Sequence, residues 1–304
     1  MNAPARPHRS GFVAVVGRPS TGKSSLLNAA LGQLVAPVSP RPQTTRRRQL
    51  GILTRPHAQI IFVDTPGIHA PHDRLGERMN AIARESLADA EAVLVVFDLS
   101  AAPGPEDERA AERVRSLATR PVLMALNKAD LVRPADVAER AAAYGRLLPQ
   151  AAGWVVSATR GDACADLFEH LEALLPEGPQ YFPPDELTQT YERDLAAELI
   201  RAAAMSLLHG EMPHSVAALV DSYTERSERH VSVRAVLYVE RESQKAIVIG
   251  RGGSMVREIG TLARRRIEEM SGREVYLDLR VKVLKGWRQS EAALRQLGYL
   301  PNER

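Results

Sequence analysis

The sequence predicts an α/β domain on a mainly parallel sheet, followed by a smaller α+β domain, and three observations predict it. The chain has 304 residues, which at roughly 100 to 200 residues per domain calls for two cores. Its first half carries short, unalternated apolar runs at Phe12 to Val16, Ile60 to Val63, Val93 to Asp98, Val122 to Leu126 and Trp154 to Val156, separated by helical stretches. Strands buried on both faces read this way, and they belong to parallel sheets covered by helices. Near the C-terminus the pattern changes: Val275, Leu277, Leu279, Val281 and Val283 alternate with Tyr276, Asp278, Arg280 and Lys282. A two-residue period fits a sheet with one face buried and one wet.

In order along the chain, residues 1–9 read as a frayed end and residues 10–175 as the first domain. After the strand from Phe12 comes a glycine-bounded loop and an apolar helix, Ser25 to Leu31, stopped by Gly32. Further helices are expected over Leu75 to Ala90 and Asp107 to Ala118. Between Pro176 and Asp185 periodicity disappears and four prolines crowd together, the signature of a stiff linker over 176–185. The second domain, 186–304 with a C-terminal tail, begins with a helix from Tyr191 to Leu208 and strands near Ser215 to Ser222 and Val231 to Val239. A short helix into Ile249, a glycine turn, a helix from Ser254 to Met270 and the alternating strand complete an α-β-β-α-α-β order.

Composition narrows the class. Apolar residues make up 44% and charged residues 25%, ordinary globular usage. The longest apolar runs, Ala92 to Phe97 and Pro121 to Leu126, fall far short of the roughly 18 residues a spanning helix needs. The run behind Arg6, His8 and Arg9 is too short for a secretion signal, so a cytoplasmic protein is expected. The single cysteine, Cys164, closes no internal disulfide and reads as a small apolar residue. Net charge is only +3, too little to imply a nucleic-acid partner for the whole chain, but local balance differs. Ser243 to Arg266 holds six basic residues against one acid, Glu258, and a second knot gathers Arg41, Arg46, Arg47 and Arg48. Only five basic residues are lysines, which makes their placement informative.

Two of those lysines stand in nucleotide-binding motifs. Gly17-Arg18-Pro19-Ser20-Thr21-Gly22-Lys23-Ser24, with Ser25 behind it, matches G-x-x-x-x-G-K-[ST] directly after a buried strand and directly before a helix. Glycines let backbone N–H groups turn inward around phosphate oxygens, and the helix start presents its positive end to the same anion. Lys23 is expected to reach the β- and γ-phosphates and the Ser24 hydroxyl to ligate Mg²⁺. Asp64-Thr65-Pro66-Gly67 follows the strand Ile60 to Val63 and puts a carboxylate at a strand's C-terminal end, where Asp64 would hold Mg²⁺ through water. The Gly67 N–H would donate to the γ-phosphate, a hydrogen bond that ends when that phosphate is cleaved. Asn127-Lys128-Ala-Asp130 follows the next strand but one. An aspartate there accepts from the N1–H and exocyclic amine of guanine, donors that adenine lacks, while the Lys128 stem lies along the base. Ser157-Ala158 would offer a backbone N–H to guanine O6.

In the second domain, Ile249-Gly250-Arg251-Gly252-Gly253, followed by Met255, Ile259 and Leu262 at helical spacing, matches the G-x-x-G loop between two helices of a KH module. Its glycines let a sugar-phosphate backbone approach, Arg251, Arg257 and Lys245 add charge, and Ile249 and Ile259 would form an apolar floor for about four single-stranded bases. Few aromatics lie nearby, so base recognition would rest on apolar packing and edge hydrogen bonds more than on ring stacking.

Together with Pro40-Arg-Pro42-Gln43-Thr44-Thr45-Arg46, these motifs resemble the translation-factor class of P-loop GTPases, and more closely the bacterial Era family, over nearly the whole chain. The resemblance implies a P-loop GTPase domain followed by a type II KH domain. It implies a first switch loop at Gln43 to Arg46, with Thr45 rather than Thr44 coordinating Mg²⁺ in the GTP state. It also implies binding to the 3′ end of small-subunit (16S) ribosomal RNA during assembly of that subunit, and peripheral membrane association, for which no amphipathic run is found. A monomer is expected.

Hydrolysis is where the sequence departs from a common pattern. Many GTPases position the attacking water with a glutamine just after Asp-x-x-Gly, and here that place is Ile68, which neither donates nor accepts. Slow, glutamine-independent hydrolysis is expected. Some GTPases with a hydrophobic residue there use K⁺, but they usually carry an asparagine where this chain has Ser20. A competing reading is a ribosome-assembly RNA-binding protein whose nucleotide is only a structural ligand.

Overall fold

The fold is described from a computed structural model, over residues 7–39, 41, 44–67, 73–116 and 120–301. Ile68, Pro40, Pro42 and Gln43 therefore lie outside the described residues. By internal contacts the chain forms two units: residues 1–36, 45–70 and 79–189, and residues 37–44, 71–78 and 190–304.

The first unit holds a six-stranded sheet in the order β2-β3-β1-β4-β5-β6. Its strands are β1 (Arg9–Val16), β2 (Gln49–Arg55), β3 (Ala58–Asp64), β4 (Ala92–Asp98), β5 (Val122–Asn127) and β6 (Ala152–Val155). β1, β3, β4, β5 and β6 run parallel, as their unalternated apolar sequences require, and β3 and β4 are buried at every position. β2, absent from the expected strands, pairs antiparallel with β3 at the edge of the sheet. Among the described residues, the α-helices of this unit are α1 (Lys23–Leu31), α2 (Arg74–Asp89, of which residues 79–89 belong here), α3 (Pro105–Arg115), α4 (Pro134–Gly145) and α5 (Cys164–Leu174). One core cluster holds α1 and α5 residues, Leu26, Leu27, Leu167 and Leu171, with Val13, Phe62 and Leu94 of the sheet. The other sheet face packs Val95, Phe97 and Met124 with Ala111, Val114 and Tyr144. Parallel pairing brings the C-terminal ends of β1, β3, β4 and β5 to one edge, where Gly17, Asp64, Asp98 and Asn127 gather.

The proline-rich stretch 176–185 runs along the first unit. Ser10 N donates to Pro176 O at 3.1 Å, and the Gln59 side chain bridges Tyr181 N and Phe182 O. The division between units falls after Gln189.

The second unit is built from α6 (Glu192–Leu207), the single turn α7 (Met212–Ser215), β7 (Ala217–Ser227), β8 (His230–Val239), α8 (Glu242–Ile249), α9 (Ser254–Ser271), β9 (Glu274–Val283) and α10 (Glu291–Gln296). β7 and β8 are antiparallel, and β9 joins β8 in parallel. That is the α-β-β-α-α-β order read from the sequence, and the crossover from β8 to β9 carries both helices flanking the glycine loop. α6 is apolar and buried along most of its length, and its Arg201, paired with Glu198, donates to the Thr44 carbonyl. Trp287 is fully buried, with its indole N–H on Ser215 O at 3.1 Å. Among the described residues no helix is long and apolar enough to cross a membrane.

Candidate functional site

The loop after β1 is shaped for an anion. α1 begins at Lys23 behind Gly22, whose φ of 93° places it in the left-handed region, and no side chain caps the helix start. The first-turn N–H groups therefore keep donors for a ligand. A Cβ on Gly22 would stand 2.2 Å from the Asn127 amide nitrogen, so glycine is required for space as well as for backbone. Gly67 is equally confined, with Pro19 N 2.7 Å from where its Cβ would be. Lys23 folds over the loop and donates to Gly17 O at 3.2 Å and Arg18 O at 2.9 Å. Burial pushes its ammonium down to about 8, against the upward pull of Asp64. A cation whose burial outweighs the pull of its neighbouring carboxylate is suited to receive phosphate.

Beside it, three oxygen groups converge. The Ser24 hydroxyl donates to Asp64 Oδ2 at 2.7 Å and lies 3.0 Å from Thr45 Oγ1, which is itself 3.2 Å from Asp64 Oδ2. Asp64 is fully buried, its other oxygen has no hydrogen-bond partner among the described residues, and burial raises its carboxyl above the ordinary range despite Lys23. A buried, half-satisfied carboxylate with two hydroxyls fits a small hard cation such as Mg²⁺, which takes oxygen ligands and keeps several waters. Thr44, by contrast, turns its hydroxyl to Arg41 O at 2.9 Å.

On the far side of the loop, Asn127 Nδ2 donates to Thr21 O at 2.9 Å and its Oδ1 accepts from Ala158 N at 3.0 Å. One side chain thus ties the phosphate loop, β5 and the turn after β6. Asp130 follows Lys128 and accepts from the Ser157 hydroxyl at 2.6 Å, which holds the carboxylate in place. Ser157 N is engaged with Asp162 O at 3.1 Å, so guanine O6 is reached from here only if the Ala158 N–H is shared with Asn127. Two non-glycine residues of the pocket, Ser20 (φ 63°) and Lys128 (φ 64°), sit in the left-handed region, at a cost of about 1 kcal/mol or more each. Asparagine tolerates that conformation better than serine.

In the second unit the turn between α8 and α9 holds Gly250, Gly252 and Gly253, all at positive φ. Nothing lies within 4 Å of the position a Gly252 Cβ would take, so that glycine serves conformation and approach, not packing. Arg257 bends back to donate to Gly252 O at 2.5 Å and Gly253 O at 3.1 Å, which braces the turn. Lys245 stands 3.9 Å from Glu242, and Arg251 is exposed. Ile249 is partly buried, but Ile259 is fully buried and supports the turn from beneath, out of a base's reach while α9 stays packed. The large exposed apolar side chain of α8 is Ile247, 52% accessible. In the other basic knot only Arg48 is exposed, Arg46 being buried.

Residues 12–128 match the family described as 50S ribosome-binding GTPase, and residues 211–288 match the KH domain family. GTPase Era of Mycolicibacterium smegmatis is 45% identical over 295 residues, 96% of this chain and 99% of the relative. The chain belongs to the Era family of GTPases. GTPase Era of Geotalea uraniireducens is 43% identical over 291 residues, covering 96% of this chain and 98% of its own. Among solved structures, Era in complex with MgGDPNP and nucleotides 1506–1542 of 16S ribosomal RNA is 37% identical, with a TM-score of 0.89 over 96% of this chain and 99% of that one. A variant of Aquifex aeolicus Era bound to GDP.AlF4- gives 36% identity and the same TM-score over the same shares. This Era-family chain is a P-loop GTPase domain followed by a KH domain.

Sequence reasoning did not single out two acids of the Era-type pocket. Arg18, inside the loop motif, is paired with Asp98 at the end of β4 (3.3 Å) and with Asp107 in α3 (3.1 Å). Asp98 also holds Lys128 at 2.7 Å. No motif spacing announces these partners, because residues 18, 98, 107 and 128 meet only through the parallel sheet.

Proposed function

We propose that the protein binds GTP and GDP with Mg²⁺ in the pocket of its first unit, hydrolyses GTP slowly without a glutamine, and holds single-stranded ribosomal RNA at the glycine loop of its second unit. Its place is the maturation of the small ribosomal subunit at the 3′ end of 16S RNA, in the cytoplasm and as a monomer. The observation that carries this reading is the convergence of Ser24, Thr45 and Asp64 beside an uncapped helix start. Asp130, held by the Ser157 hydroxyl, would read the base. The solved Era complex with MgGDPNP and 16S nucleotides supports the RNA assignment.

In this reading the first-turn N–H groups of α1 and Lys23 grip the β- and γ-phosphates. Ser24, Thr45 and Asp64 would hold Mg²⁺, which when bound neutralises charge on the phosphate oxygens. Gly67 donates its N–H toward the γ-phosphate, and with Ile68 in place of a glutamine the water is oriented by backbone groups and by whatever orders the switch. Asp130 selects guanine, since facing adenine it would be buried without donors, and such sites discriminate by about 10⁴ to 10⁵. The γ-phosphate would order the loops around Thr45 and Gly67, and that ordering would bias how RNA is held.

A titration with GTP, GDP and ATP, followed by turnover assays with an oligonucleotide of the 16S 3′ end in KCl and in NaCl, tests the whole reading. Guanine nucleotides bind and ATP does not, the RNA is captured, and turnover is equal in the two salts because Ser20 replaces the asparagine of K⁺ users. Faster turnover in KCl would return K⁺ to the mechanism. Absence of turnover even with RNA would make the nucleotide a structural ligand.

A further inference from the structure

We propose that Asp98 is a positioning residue for guanine binding, holding the Lys128 ammonium so that the lysine stem lies ready for the base; this rests on the guanine-nucleotide reading of the pocket. Asp98 closes β4 and is buried. Its Oδ2 accepts from Lys128 Nζ at 2.7 Å and from Arg18 Nη2 at 3.3 Å. Its Oδ1 accepts from the N–H and the hydroxyl of Ser100, the former at 3.1 Å, and its backbone carbonyl accepts from the Tyr144 hydroxyl at 2.9 Å. A carboxylate so engaged cannot swing. Arg18 is held from its other side by Asp107, whose Oδ2 accepts from Gly104 N at 3.1 Å. Two cations and two carboxylates thus form one neutral cluster that joins the phosphate loop to the base-reading loop.

Lys128 needs such a hold. Its backbone is in the left-handed region, a conformation that persists where surroundings over-determine it. Its side chain is 30% accessible, and a long flexible stem that must be immobilised on binding lowers affinity unless it is ordered beforehand. Electrostatics and positioning predict opposite signs for removing the carboxylate. Without Asp98, two cations would face one acid beside the phosphate loop, which strengthens attraction for anions. Without Asp98, the lysine is also released, which weakens the grip on the base.

The test is release of a fluorescent GDP analogue from the full chain, from Asp98→Asn, from Lys128→Met and from the double variant, with pyrophosphate as the competing probe of the phosphate end. Asp98→Asn is expected to release GDP about 3- to 10-fold faster while pyrophosphate binds as well as before or better. The double variant should release no faster than Lys128→Met alone, because the effect runs through the lysine. GDP release unchanged or slowed, additive effects in the double variant, or equal weakening of GDP and pyrophosphate would each overturn the proposal. If the parent chain retained ADP as firmly as GDP, the guanine reading would fall and this proposal with it. A clear GDP preference with unaltered release from Asp98→Asn would remove the proposal alone.

Discussion

Burial alone would raise the Asp98 carboxyl, but hydrogen bonds from Lys128 and Ser100 overcome it and hold the group below the ordinary carboxylate range. A carboxyl lowered on folding adds stability above its unfolded pKa of about 3.9 and loses it as pH falls through the folded value. Asp98→Asn should therefore melt below the parent at neutral pH, and the gap should begin to shrink as the pH drops under about 4 and close only below the lowered folded value, where the parent carboxyl is also uncharged. Thermal melts across that range check it, and an equal gap at both ends would show that the charge is not what stabilises. At this scale legibility was uneven. Gly17 to Ser24 and Asn127 to Asp130 were readable because each motif's chemistry is local to a few residues. The choice between Thr44 and Thr45 rested on family likeness, and in the structure only Thr45 turns its hydroxyl to Ser24 and Asp64. Asp98 and Asp107 were not readable, since their partners lie 30 to 89 residues away in sequence.

Elements built from unbroken apolar runs were found in sequence because full burial leaves little room for another pattern. β2 was not: Gln49–Arg55 mixes polar and apolar residues behind an arginine run, and its partner is a single antiparallel strand at the sheet edge. The α8 and α9 pair was legible through its glycines, yet helical spacing placed Ile259 on an RNA floor where the structure buries it completely. Spacing tells which residues share a face, not which of that face's residues reach the surface. The glycine loop itself gives a prediction at this scale. In Gly252→Asp the new side chain has space, and the positive φ costs about 1 kcal/mol, so α8 and α9 persist in circular dichroism. The added carboxylate meets the incoming RNA phosphates, and affinity for a 16S 3′-end oligonucleotide should fall at least about tenfold in a filter or fluorescence assay. Retained affinity would move the RNA site away from this turn.

At the scale of the chain, two cores were foreseeable from length and from the change of period, but the partition between them was not. The prolines of 176–185 read as a spacer, while the structure lays the segment against β1 and β3 through Ser10 and Gln59 and begins the second unit at Thr190. Residues 37–44 and 71–78 count with the second unit although their neighbours in sequence build the first. Such assignments follow from pairings such as Asp73 with Arg288 at 3.4 Å, which no local pattern encodes. Net charge was a poor guide for the same reason: the chain is nearly balanced, and its function reads from where a few charges are placed. The account stands on one carboxylate selecting the purine. In Asp130→Asn, equilibrium titration should show GDP affinity reduced about a hundredfold or more and xanthosine diphosphate bound in its place, since the amide offers a donor where guanine needs an acceptor. Unchanged GDP affinity in that variant would contradict the account.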